Sequence, residues 1–279
     1  MKLLDVLVNL KETSERPARI PKEEQVLALF QEWLVSDERF KANLWRNRGG
    51  RFYPSGFGYE CDRSLALKFC RAPEAPTDRD PRLEITFALG NGIHNVIQEL
   101  FAEFSMAKGW LCEDEVRIKP DENPWFISGR VDIELTQPAW NRRRGVEIKS
   151  INNDGFNALH SKPQDKHIEQ GNIYVGIRKL ECMHYVYVNK DKSTFKEFVR
   201  PPDESLFEQT MLRPERILVS MQQNKFPSCD KCTRSCAFHQ LNKQQPSLTV
   251  KDVVNENRDA HIAAAIQSFA PVFLRRTSR

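Results

Sequence analysis

Nowhere in the 279 residues does an apolar run approach the length that a membrane-spanning helix needs. No internal repeat occurs, and no low-complexity tract is longer than a linker. The phosphate-loop pattern G-x-x-x-x-G-K-[ST] is also missing, so the chain carries no ATP motor of its own. The opening MKLLDVLVNL is apolar but short, contains Asp5 and runs into the charged KETSERPARI. A secretory signal needs a longer apolar core and a small-residue cleavage site, so the expectation is an ordinary helix or docking segment. Net charge is small as well: 42 Lys and Arg against 38 Asp and Glu leave +4. That total is too little to establish a polyanionic partner, because global charge governs solubility and encounter rather than a site.

What is present is ordinary for a soluble globular protein, with 40% hydrophobic and 29% charged residues and length enough for one domain plus decorations. Seven cysteines without an export signal point to a reducing compartment, hence a cytoplasmic protein whose close Cys spacings mean metal rather than disulfides.

Periodicity predicts a helix over 22–36 and a short one beginning near Asp62. A long helix over 83–108 has Leu89, Ile93, Val96, Ile97, Leu100, Phe101 and Phe104 on one broad stripe. That helix contains Gly90 and Gly92, each costing on the order of 1 kcal/mol relative to Ala. They signal a close backbone approach, a functional site, or a helix that starts near Asn91 instead. Strands are expected at 114–119, 126–135 and 144–151. A helix at 163–180 follows, with Pro163 in its first turn, then a hairpin of strands 183–189 and 194–199, a helix at 204–223 and a last helix at 251–269. This order implies an α/β fold with a central mixed sheet flanked by helices and with helical N- and C-terminal additions.

Strand alternation singles out one polar face. Ile127, Gly129, Val131, Ile133 and Leu135 are expected to point one way, and Ser128, Arg130, Asp132 and Glu134 the other. On the third strand Val146 and Ile148 share a face, opposite Glu147 and Lys149. Adjacent strands would bring Asp132, Glu147 and Lys149 together. Two carboxylates suit Mg²⁺ or Mn²⁺, hard cations that prefer oxygen, which acidify a bound water and neutralise charge on a phosphate. A lysine beside them orients or deprotonates water and stabilises an anionic transition state.

An E-x-K triplet alone is common. The longer pattern is G-R-V-D at 129–132, E-I-K at 147–149 and Q-x-x-x-Y from Gln170 to Tyr174, preceded by His94 in GNGIHNVIQELF. In these motifs and their order the chain resembles the RecB-like branch of the PD-(D/E)XK nucleases, from roughly Cys61 to Cys236. One departure is Val131, which stands where the family name implies proline. The resemblance implies a restriction-endonuclease-like core with Asp132, Glu147 and Lys149 catalytic, and a metal held by His94, Asp132, Glu147 and the backbone carbonyl of Ile148. Gln170 and Tyr174 share a helix face and either pack against the sheet or, as the resemblance implies, touch DNA or support the site.

C-D-K-C-T-R-S-C places Cys229, Cys232 and Cys236 within eight residues. With His239 they could form a structural zinc site. The resemblance, to AddB-type and CRISPR-associated exonucleases in particular, implies instead that Cys61 joins them around a 4Fe–4S cluster, which wants four thiolates. The last gap is shorter than that family shows. Cys70, Cys112 and Cys182 are simplest as buried apolar residues. The organisation expected is thus a 1–60 helical, DNA-contacting region, a 61–240 nuclease core closed by the cysteines and a 241–279 helical arm.

Arg39, Lys41, Arg46, Arg48 and Arg51 interleave with Phe40, Trp45, Phe52 and Tyr53, a texture suited to phosphates and unpaired bases. Arg142, Arg143 and Arg144 are expected in a loop between the catalytic strands, near the scissile phosphate. No element is suited to groove readout, so little sequence specificity is expected. The reading is a metal-dependent DNA exonuclease or end-processing nuclease for single-stranded or frayed ends, with a helicase or recombination protein as a possible partner. The alternatives are a structure-specific or restriction-like endonuclease and a catalytically idle DNA-binding subunit.

Overall fold

The computed structural model describes residues 49–73, 81–140, 142–229, 236, 238–255 and 258–274. The helix expected at 22–36, together with Arg39, Lys41, Arg46 and Arg48, lies outside the described residues, as does Cys232. The larger of two compact units, Asn47–Thr77 with Phe87–Arg279, holds the sheet and the candidate site. Among the described residues no helix is long and apolar enough to cross a membrane.

Five strands form one mixed sheet in the order β1 to β5: Leu111–Ile118, Gly129–Gln137, Arg142–Ile151, Met183–Asn189 and Phe195–Arg200. Neighbours are antiparallel except β3 and β4, which run parallel. A parallel step needs a crossover. Here the crossover passes through two helices, numbered after α1 (Pro54–Phe57), α2 (Asp62–Phe69) and α3 (Pro81–Lys108): α4 (Asn153–Asn157) and α5 (Asp165–Arg178). Lys179, in the left-handed conformation, ends α5. Pro163 therefore lies before α5 rather than in its first turn.

The two faces of the sheet bury different partners. On one, Ile97 of α3, with Ile93 and Phe101 against it, meets Ile133, Leu135, Val146, Ile148, Val186 and Val188. On the other lie Ile173, Tyr174 and Val175 of α5 against Tyr185, Tyr187 and Met183, joined by Ile217 and Leu218 of α6 (Glu204–Gln222). Phe52, read from sequence among the base-stacking aromatics, is 1% exposed and bridges to Ile127, so it belongs to this core.

Two expectations give way. The helix α3 runs unbroken through Gly90 and Gly92, and a methyl group at Gly92 would meet nothing within 4 Å, so no close approach demands a glycine there. The last helix, expected over 251–269, is two pieces, α8 (Val250–Val253) and α9 (Ala260–Ser268), after a short α7 (His239–Gln244). Between α8 and α9 the buried Asp259 carboxylate accepts from the Asn255 amide and from Arg258. Side chain-to-backbone bonding of this kind competes with helix continuation. Val250, Val254, Ile262 and Ile266 of this region pack into the α5-side core.

Candidate active site

Simple alternation fails at one point, and that point builds the site. Ile127 and Val131 join the core on the α5 side, whereas Ile133 and Leu135 join the one against α3. The expected single face for these residues is therefore wrong: the strand changes face across Asp132. The partner strand explains it. Asp114 pairs with Ile133 and Val116 with Val131, and Glu115, opposite Asp132, has a φ of 50°. A left-handed residue in a strand rotates the chain out of alternation.

β2 pairs with β3 only from Ile133↔Val146 to Gln137↔Arg142, so the two strands part beyond Ile133. Asp132 turns into that gap, where its Oδ2 accepts the Ile148 amide at 2.7 Å. From α3, His94 Nδ1 stands 3.7 Å from the same oxygen. On the α5 side, Glu147 Oε1 accepts from Lys149 Nζ at 2.6 Å and from Gln170 Nε2 at 2.6 Å. His94, Asp132, Glu147 and Lys149 thus meet around one residue, Ile148.

Burial is the largest influence on these groups. It raises the Asp132 carboxyl above its usual range, against the opposing pull of the Ile148 amide and Lys149. It raises Glu147 too, with Lys149 pulling it back and Asp132 pushing it further up. For Lys149 burial is the largest single influence and acts downward, but Glu147 and Asp132 together outweigh it and the ammonium is held up. Burial, then Lys149, lowers His94. Glu147 Oε2 is buried with no hydrogen-bond partner. An unpartnered buried carboxylate oxygen beside a second carboxylate, with a backbone carbonyl and an imidazole at hand, is a donor set suited to a hard divalent cation. Among the described residues no three His, Cys, Asp or Glu side chains form a ready-made cage. The fit therefore rests on Asp132, Glu147 and the Ile148 carbonyl, with His94 beside them.

Gln170 and Tyr174 are buried and turned toward the site. Gln170 also donates to the Tyr174 hydroxyl at 3.3 Å, and the Tyr174 ring lies against Gly129 of β2. They tie β2 to Glu147 of β3. In this arrangement they support the carboxylate, one of the roles expected for them.

The arginine cluster is also corrected. Arg142, Arg143 and Arg144 are in β3 itself, beside the hairpin end. From Asp132 to the closing pair Gln137↔Arg142 is five strand steps, roughly 16 Å at the usual rise. Arg142 and Arg144 bind Glu181 at 2.8 and 3.1 Å, and Arg143 donates to the Arg178 carbonyl at 2.6 Å. Glu134, expected beside Asp132, is buried under Arg178 at 2.7 Å. Arg51 donates to the Gly49 carbonyl at 3.2 Å.

Two residues near the site were not legible. Gln98 donates to Glu115 Oε1 at 3.2 Å and to the Asp132 carbonyl at 3.0 Å. Its spacing of four from His94 is the one signal that could have found it. Glu115 had none, since nothing local marks a glutamate for the left-handed region.

Cys61, capping α2, brings its Sγ to 3.5 Å from that of Cys229, across 168 residues of sequence. Cys236 is half-buried against the core, and the His239 amide donates to its carbonyl at 3.0 Å. Cys70 and Cys182 are buried and Cys112 half-buried, all three as free thiols.

No protein-family model and no curated protein matches the chain. Among solved structures it is similar to SSO0001, at 19% identity and TM-score 0.45, over 77% of this chain and 96% of that one. It is likewise similar to LHK-Exo, an alkaline exonuclease from Laribacter hongkongensis, at 12% identity and TM-score 0.45, over 64% of this chain and 91% of that one. The LHK-Exo complex with dAMP aligns at 13% identity, TM-score 0.45, over 63% and 91%. Overlaps this partial assign no function, and the site stands on its own geometry.

Proposed function

We propose that the protein is a phosphodiester hydrolase with a divalent-cation site, and more closely a deoxyribonuclease of the RecB-like PD-(D/E)XK class. The observation that carries this reading is the 2.7 Å bond from the Ile148 amide to Asp132, which closes the G-x-x-D and E-x-K motifs on each other. Asp132, Glu147 and the Ile148 carbonyl, with His94, would hold Mg²⁺ or Mn²⁺. That ion would neutralise charge on the phosphodiester and make water a stronger acid. Lys149, anchored on Glu147, orients the attacking water and places a positive charge beside the scissile phosphate. Gln170 keeps Glu147 aimed.

The substrate is DNA with free ends, single-stranded or frayed, a helicase or recombination protein supplies those ends, and the compartment is the cytoplasm. The core spans about 61–240, with 1–60 contacting DNA and 241–279 as an arm. The test is digestion of end-labelled linear DNA with and without Mg²⁺ or Mn²⁺. Degradation that Asp132→Ala or Lys149→Ala stops is expected, and full activity in either variant rejects the assignment. Cleavage of closed circles would move the protein to the endonucleases, and DNA binding without cleavage to idle subunits.

Cys61, Cys229, Cys232 and Cys236 would hold a 4Fe–4S cluster that staples the two ends of the core. A second reading is zinc with His239 completing Cys229, Cys232 and Cys236, whereas the 3.5 Å Cys61–Cys229 approach favours a site that includes Cys61. A brown protein with stoichiometric iron, bleached by Cys232→Ser, identifies the cluster. Colourless protein carrying one zinc identifies the other.

A further inference from the structure

Beside the candidate active site lies an ion pair whose exposure makes it a poor contributor to folding. Arg130 Nη1 rests on Glu115 Oε2, with the two side chains 61% and 36% exposed. The contact lacks the alignment of a hydrogen bond. Exposed pairs of this kind add little stability, yet both partners are held in place with care. A side chain at the preceding Gly129 would crowd Tyr174 and Pro54 at 3.1–3.2 Å. Glu115 keeps the left-handed backbone that only a few non-glycine residues adopt, and Gln98 ties its Oε1 to the Asp132 carbonyl. A strained carboxylate is thereby fixed opposite Asp132, with an exposed guanidinium parked on it two residues from that aspartate.

We infer that Arg130 is a DNA-phosphate contact and that Glu115 is its resting acceptor, exchanged for phosphate oxygens when the strand enters. This rests on the nuclease reading. A guanidinium presents a planar fork of donors that fits carboxylate and phosphate alike, so the two anions compete for the same group. In the free protein Glu115 occupies it. With DNA bound, a phosphate adjoining the scissile one takes its place. Neither residue is needed for bond breaking. Their effect is on affinity, and the two act in opposite directions.

The experiment is fluorescence anisotropy of a labelled single-stranded oligonucleotide in EDTA, where nothing is cleaved, over a salt series. Arg130→Ala is expected to weaken binding about fivefold at low salt and to lower the slope of log K against log salt by roughly one. Arg130→Lys keeps the slope, because the charge remains, but loses part of the affinity. Glu115→Gln tightens binding about threefold, because the competing carboxylate is gone. A purely structural pair would weaken binding in both variants and lower their melting temperatures together, and that result overturns the inference. Wild-type protein that binds while Arg130→Ala binds equally well also overturns it, leaving the nuclease reading intact. Wild-type protein that binds no DNA sinks the nuclease reading itself, and this inference with it.

Discussion

Two glutamates in this protein are equally buried and do opposite things. Glu215, 0% exposed, has every oxygen satisfied: Trp125 Nε1 and the Val272 amide donate to Oε1, the Phe273 amide to both oxygens and the Leu274 amide to Oε2, all within 2.9–3.0 Å. Glu147, 1% exposed, shares one oxygen between Lys149 and Gln170 and leaves the other without a partner. A buried charge that is fully bonded anchors structure, and one left open is a site waiting for a ligand. Around Glu215 the chain folds its own tail into place, with Phe273 stacked on Trp125. Around Glu147 it withholds the last bond.

The largest effect should come from exchanging charge for neutrality at these two positions. Glu147→Gln is expected to cut DNA cleavage by on the order of a hundredfold or more, with little change in the metal-free melting temperature, since loss of the Lys149 ion pair offsets the relief of a buried carboxylate whose Oε2 has no partner. Glu215→Ala should cost roughly 3 kcal/mol, since it leaves a buried indole and three amides unpaired, with cleavage retained where the protein is folded. Calorimetry and an activity assay on both variants check the contrast. If both variants lose stability alike, Glu147 is an ordinary structural group.

Next in size is the dependence on pH. Folding raises both site carboxyls, to about 6 for Asp132 and about 7 for Glu147. The folded state therefore binds more protons than the unfolded state, and the stability they supply is full at low pH and lost as pH rises through about 7. At the proposed site divalent cations would bind the deprotonated pair, so the rise in melting temperature on adding Mg²⁺ or Mn²⁺ should be small near pH 6 and grow above pH 7. A thermal-shift series with and without metal decides it, and a shift that ignores pH would place the ion elsewhere.

The smallest effect expected is at Gly92, exposed on α3 with open space beside it. Gly92→Ala should stabilise by up to about 1 kcal/mol, read from denaturant midpoints. A loss instead would mean that the helix needs its freedom there.

Much of the framework was legible from pattern alone. β4 occupies Met183–Asn189, the range its alternation predicts, and α6 begins at Glu204 as expected. The grouping of Asp132, Glu147 and Lys149 was also legible, because D, then E-x-K, on neighbouring strands leaves few other arrangements. The reasons for that grouping were not. Alternation puts Asp132 on a regular polar face, whereas it sits where the strand changes face. Nearness in sequence puts the arginines of β3 beside the acidic groups, whereas the hairpin register carries them to the far end. The break before α9 depended on a buried Asp259 that the apolar periodicity conceals.

Periodicity is a property of consecutive residues, and it determined the strands, the main helices and the order in which the acidic and basic groups arrive. Which of those groups meet was settled only when β2 parted from β3, Glu115 turned left-handed against Asp132 and the tail closed over Glu215. Each of those events joins residues far apart in the chain, through backbone bonds that no local pattern encodes.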